Sequence, residues 1–73
     1  MIFNERLRQL RIENGLTQEQ VAAKLSMAYR NYQRLEAKDN TPNFANLLQI
    51  ADYYDVSVDW LMGRTENRYA HRG

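Results

Sequence analysis

At 73 residues the chain allows one domain near the lower size limit for an unaided core, and its lack of cysteine excludes disulfides and thiolate metal sites. A hydrophobic fraction of 44% and a charged fraction of 26% are those of a globular domain, and no apolar run approaches the roughly 20 residues that span a bilayer. The net charge of +1 by itself excludes neither an anionic nor a cationic partner.

Apolar spacing predicts helices throughout, and nothing alternates with period two. Phe3, Leu7 and Leu10 stand at i, i+4 and i+7, giving a first helix from Ile2 to Asn14, with Gly15 placed to end it. Thr17 and Gln20 form a capping box, and Leu16 with Val21 a hydrophobic staple, for a second helix over Gln18 to Leu25. Ser26 and Met27 interrupt it. A third helix begins near Ala28 or Tyr29 and reaches about Ala37, with Tyr32 and Leu35 inward. The polar stretch 38–42, ending in Pro42, reads as a loop. Asn43 caps a fourth helix with Phe44, Leu47, Leu48, Ala51 and Tyr54 on one stripe. Ser57 caps a short fifth helix stapled by Val56 and Leu61 and ended by Gly63. The expected division is a domain over 1–64 and a flexible C-terminal tail over 65–73.

Charge is unevenly placed. Residues 24–38 carry Lys24, Arg30, Arg34 and Lys38 against Glu36, whereas 39–59 carry only Asp39, Asp52, Asp55 and Asp59. A basic block followed by an acidic one fits one face turned to a polyanion, but charge alone fits an ordinary solvated surface of mixed sign better. The first turn holds Asn4, Glu5 and Arg6 and shows no signal-peptide pattern, so the expected location is cytoplasmic.

The informative segment is 18–37. Two short helices meet across about three residues, which forces a steep crossing. Ala22 supplies the small residue such a crossing needs, and Val21, Leu25, Met27, Tyr32 and Leu35 face the domain. Tyr29, Arg30, Gln33 and Arg34 are left pointing outward.

The run from Thr17 to Leu25 resembles the helix-turn-helix of the Xre/Cro, lambda-repressor-like regulators. Leu35-Glu36, Pro42, the Leu47–Ala51 run, Asp55-Val56-Ser57 and the ending Trp60–Arg64 fit the same pattern, so the likeness covers residues 3 to 64. It implies an all-α, five-helix domain that reads double-stranded DNA over a pseudo-palindromic operator as a homodimer, repressing or activating transcription. Tyr29, Arg30, Gln33 and Arg34 become the base-reading set, since arginine matches guanine O6 and N7, and glutamine matches adenine. Gln18 takes the family's phosphate contact, and Asn31, Lys38, Asn40 and Thr41 are further backbone contacts. Arg11 and Glu36 are expected as a partly buried, structural salt bridge. Tyr53, Trp60 and Met62 are candidates for the dimer interface, with completion of the core the other reading, chiefly for Trp60.

Four positions depart from the family pattern. Ser26 stands where glycine is common, and a left-handed backbone there is strained by about 1 kcal/mol. Tyr32 replaces a β-branched aliphatic, Ala28 replaces a hydroxyl cap, and Lys38 stands where glycine often ends the helix.

Catalysis finds no support. The one histidine, His71, lies in the tail, and there is no cysteine nucleophile or glycine-rich phosphate loop. Asp52, Asp55 and Asp59 lack a calcium-loop pattern, and neither cofactor nor metal is expected. The alternative is an antitoxin or protein-interaction module of the same fold.

Overall fold

In the computed structural model, which describes residues 2–72, the helices are α1 (Ile2–Glu13), α2 (Gln18–Lys24), α3 (Tyr29–Glu36), α4 (Phe44–Tyr54) and α5 (Val58–Leu61). A 3-10 turn follows at Ala70–Arg72, and no strand occurs among the described residues. This is the expected all-α, five-helix, lambda-repressor-like architecture, with α2 and α3 as the helix-turn-helix.

Local chemistry sets the boundaries. The Gln20 amide donates to Thr17 Oγ1 at 3.1 Å, and the Thr17 amide donates to Gln20 Oε1 at 2.8 Å, so both halves of the capping box are made. Asn43 accepts from the Asn46 amide at 2.7 Å and Ser57 from the Trp60 amide at 3.2 Å. Only α3 begins without such help among these four, because Ala28 has no side chain to offer its first amides. Gly63, at φ 81, is required twice: an added Cβ would meet Ile2 Cγ2 at 2.5 Å, and the backbone is left-handed. The left-handed residue after α3 is Asp39 at φ 66, one beyond Lys38.

The core gathers Phe3, Leu7 and Leu10 of α1 with Val21, Ala22, Leu25, Tyr32 and Leu35 of the helix-turn-helix, closed from below by α4 and α5. On α4 the inward stripe differs from the expected one. Leu47, Ile50 and Ala51 are buried and Tyr54 packs against them, whereas Phe44 is 72% exposed and Leu48 40%. Apolar residues at 44, 47, 48, 50, 51 and 54 permit two overlapping stripes, and packing selects the i, i+3, i+4, i+7 set that includes Ile50.

Trp60 leaves the candidate dimer set. It is 5% exposed, and Arg6 and Arg68 lie over its ring with guanidinium carbons 4.7 and 4.6 Å from the centroid. So small a core uses its one indole internally. Met62 is half-buried against the core, and Tyr53 stays exposed.

The segment after Gly63, expected as a flexible tail, folds back along α1 and α5. Arg68 donates both terminal nitrogens to Glu13, at 2.8 and 3.0 Å, and the Ser57 amide donates to the Arg68 carbonyl at 2.8 Å. Arg6, buried on α1, donates to the Trp60 and Thr65 carbonyls and to the Glu66 carboxylate. The physical reason is the pair of arginines stacked on Trp60, which gives a polar segment an anchor that its composition alone does not announce.

Two outcomes follow. Ser26 sits at φ 54, so Ser26→Gly should stabilise the fold by about 1 kcal/mol, read as a higher urea midpoint at unchanged slope. The Arg68 hydrogen bonds, joined by one from Gln9, hold the Glu13 carboxyl down at about 2. A carboxyl depressed by folding stabilises above its unfolded pKa and loses that contribution as pH falls through the folded value. Wild-type stability should therefore drop between about pH 4.3 and the Glu13 value, and Glu13→Gln should flatten the curve in that window.

Candidate nucleic-acid interface

The turn between α2 and α3 is held by backbone bonds. The Leu25 amide donates to the Val21 carbonyl at 2.9 Å and the Met27 amide to the Ala22 carbonyl at 2.9 Å. Ala22 is 2% exposed where the helices meet. From α4, Gln49 Nε2 donates to the Leu25 carbonyl at 2.6 Å, satisfying an acceptor at the end of α2. The turn thus presents α3 edge-outward. Tyr32 is fully buried and Leu35 7% exposed, while Tyr29, Arg30, Asn31, Gln33 and Arg34 are exposed. Neither Arg30 nor Arg34 pairs with a carboxylate among the described residues.

Beneath this helix lies the ion pair anticipated for Arg11. Arg11 Nε donates to Glu36 Oε2 at 2.7 Å and Nη2 to Oε1 at 3.1 Å, while Nη1 donates to the Leu16 carbonyl at 3.0 Å. Two further donors reach the same carboxylate: Tyr32 Oη to Oε2 at 2.5 Å and Gln18 Nε2 to Oε1 at 3.2 Å. The Glu36 side chain is 4% exposed. Burial alone would raise its pKa, but the bonds from Arg11, Tyr32 and Gln18 outweigh burial and hold it below the ordinary carboxylate value. The Tyr32 phenol is pushed up, first by burial and then by its bond to Glu36. The Tyr32 hydroxyl thus adds a donor to this network that an aliphatic side chain could not supply.

The expected backbone contacts fall in three places. Gln18 is half-buried at the N-terminal end of α2, held by Glu36. Asn31, Arg34, Asn40 and Thr41 line one polar cleft of about 460 Å³, together with Asn43 and Asn46. Lys38 lies outside that cleft and is exposed. Asn43 and Asn46 escaped the sequence reading, which gave Asn43 only a capping role. Nothing in their spacing reveals that the loop 37–43 bends back beside α3. Asn4 sets that bend: 3% exposed, it donates through Nδ2 to the Leu35 carbonyl at 2.6 Å and to the Asn40 carbonyl at 3.0 Å. Guanidinium and amide donors on one protruding helix, flanked by a second donor-rich cleft, can hydrogen-bond base edges and phosphate oxygens together.

The helix-turn-helix family model matches residues 7–61. The chain is 41% identical over 66 residues to the helix-turn-helix-type transcriptional regulator YobD of Bacillus subtilis, covering 90% of this chain and 59% of that protein. It is 36% identical to the transcriptional activator BcrR of Enterococcus faecalis, over 90% of this chain and 32% of that one. The cryptic phage CTXphi transcriptional repressor RstR of Vibrio cholerae is 34% identical, over 88% and 57%. The chain thus spans a third to three fifths of the length of these relatives. No solved structure matches it significantly.

Arg11→Ala would leave the buried Glu36 carboxylate without its cation. The expected cost is roughly 3–5 kcal/mol in urea denaturation, against a small change for removal of the exposed Arg64–Asp59 pair, whose atoms are 3.9 Å apart.

Proposed function

The chain belongs to the Xre/Cro-type helix-turn-helix family, and on that footing we propose that it is a sequence-specific, double-stranded DNA-binding transcriptional regulator that acts as a dimeric repressor. The observation that carries the reading is the division of α3: Tyr32 and Leu35 are locked inside, while Tyr29, Arg30, Gln33 and Arg34 project free of the protein. Residues 1–64 are the DNA-binding unit. Arg30 and Arg34 read guanine, Gln33 reads adenine, and Tyr29 meets a thymine methyl or a phosphate. Gln18, Asn31, Lys38, Asn40 and Thr41 hold the backbone and fix the register of α3 in the major groove.

Two copies would set their recognition helices in successive major grooves, about 34–36 Å apart, over a pseudo-palindromic site. Exposed Tyr53 and half-buried Met62 are the surviving candidates for the contact between copies. Repression then follows from occlusion of the promoter. Of the relatives named above, BcrR is an activator and RstR a repressor; the repressor reading rests on the occlusion mechanism. The chain works in the cytoplasm, where its DNA is; no helix among the described residues is long and apolar enough to cross a membrane.

Selection from a random DNA pool should return two half-sites about one helical turn apart. Arg30→Ala should lose roughly 1–3 kcal/mol at one base position and bind random DNA nearly as before. Gln18→Ala should weaken specific and random DNA alike. Wild-type affinity should fall steeply as salt rises; a flat response, or equal losses on both DNAs for Arg30→Ala, overturns the reading.

A further inference from the structure

A cleft of about 540 Å³ lies between α1 and α3, lined by Arg8, Arg11, Gln18, Gln33, Glu36 and Ala37. It contains a carboxylate, which at first sight makes it hostile to anions. The hydrogen bonds say otherwise. A carboxylate offers about four lone-pair sites, and Glu36 has four donors: Arg11 twice, Tyr32 and Gln18. Its charge is matched by Arg11 and its acceptors are occupied. What remains toward the cleft is donors. Gln18 Nε2 spends one hydrogen on Glu36 and keeps a second. The Gln33 amide and the Arg8 guanidinium are exposed, and Arg8 pairs with no carboxylate among the described residues.

We infer that this cleft is a seat for a phosphate of the DNA backbone, with Arg8 as its cation and the amide of Gln18 as its neutral donor, at the edge of the base-reading Gln33. Arg8 is a backbone-binding residue that the motif does not point to, because it lies on α1, outside the helix-turn-helix. The Tyr32 hydroxyl fills one of the Glu36 acceptors from inside the core. The seat rests on the DNA-binding reading and extends it to a third helix.

The test is a salt series on a selected site and on random duplex, with wild type, Arg8→Gln, Gln18→Ala and the double variant. Arg8 is exposed, so R8Q should leave the urea midpoint unchanged. R8Q should reduce the slope of log K against log salt by about 0.9 on both DNAs, the release of one counterion. Q18A should lower affinity at unchanged slope, because an amide displaces no counterion. The double variant should lose less than the sum of the two single losses, since both groups hold one phosphate. A steep wild-type slope that R8Q leaves intact, or additive losses for Arg8 and Gln18, overturns the seat alone. A flat wild-type response overturns the DNA reading and the seat with it.

Discussion

A carboxylate withdrawn from water is costly unless donors replace the water it loses. Glu36 stands at the last turn of α3, where the helix dipole also disfavours negative charge. Its four donors come from α1, from the start of α2 and from α3 itself. One side chain therefore fixes the recognition helix against both of its neighbours. The same arginine that neutralises it also bonds the Leu16 carbonyl, so the turn entering α2 is tied to the same point. Without this knot the steep crossing of α2 and α3 would rest on the backbone bonds of the turn, the Gln49 bond and the apolar contacts around Ala22.

A second knot also involves α1, through Arg6 and Glu13. Arg6 and Arg68 both lie over the Trp60 ring, and each arginine carries its own carboxylate, Glu66 and Glu13. A domain this short buries too little apolar surface to be comfortable, and here guanidinium groups extend the core over the indole instead. The segment 64–71 is drawn in as a result. Arg6 is buried while donating to the Trp60 carbonyl, which also accepts from the Gly63 amide, and to the Thr65 carbonyl.

The recognition helix is fixed by these tertiary ties more than by its own sequence. Its start has no side-chain cap, and the turn before it places a serine at positive φ. Both are local weaknesses of a kind that functional elements often carry. The Glu36 network and the Gln49 bond to the end of α2 offset them.

The sequence by itself determined the five helices, the capping box at Thr17, the breaks at Gly15 and Gly63, and the outward set on α3. Those depend on spacing, on cap chemistry and on backbone permission, which act within a few residues. The Arg11–Glu36 pair was legible only through resemblance, since nothing in the spacing of residues 25 apart brings them together. Tertiary structure alone decided which α4 stripe is buried, that Trp60 belongs to the core, that residues 64–71 fold back, and that Arg8 shares a cleft with Gln18 and Gln33. Each of these is a competition among groups distant in the chain for the same small volume, and a linear sequence does not record which of them wins it.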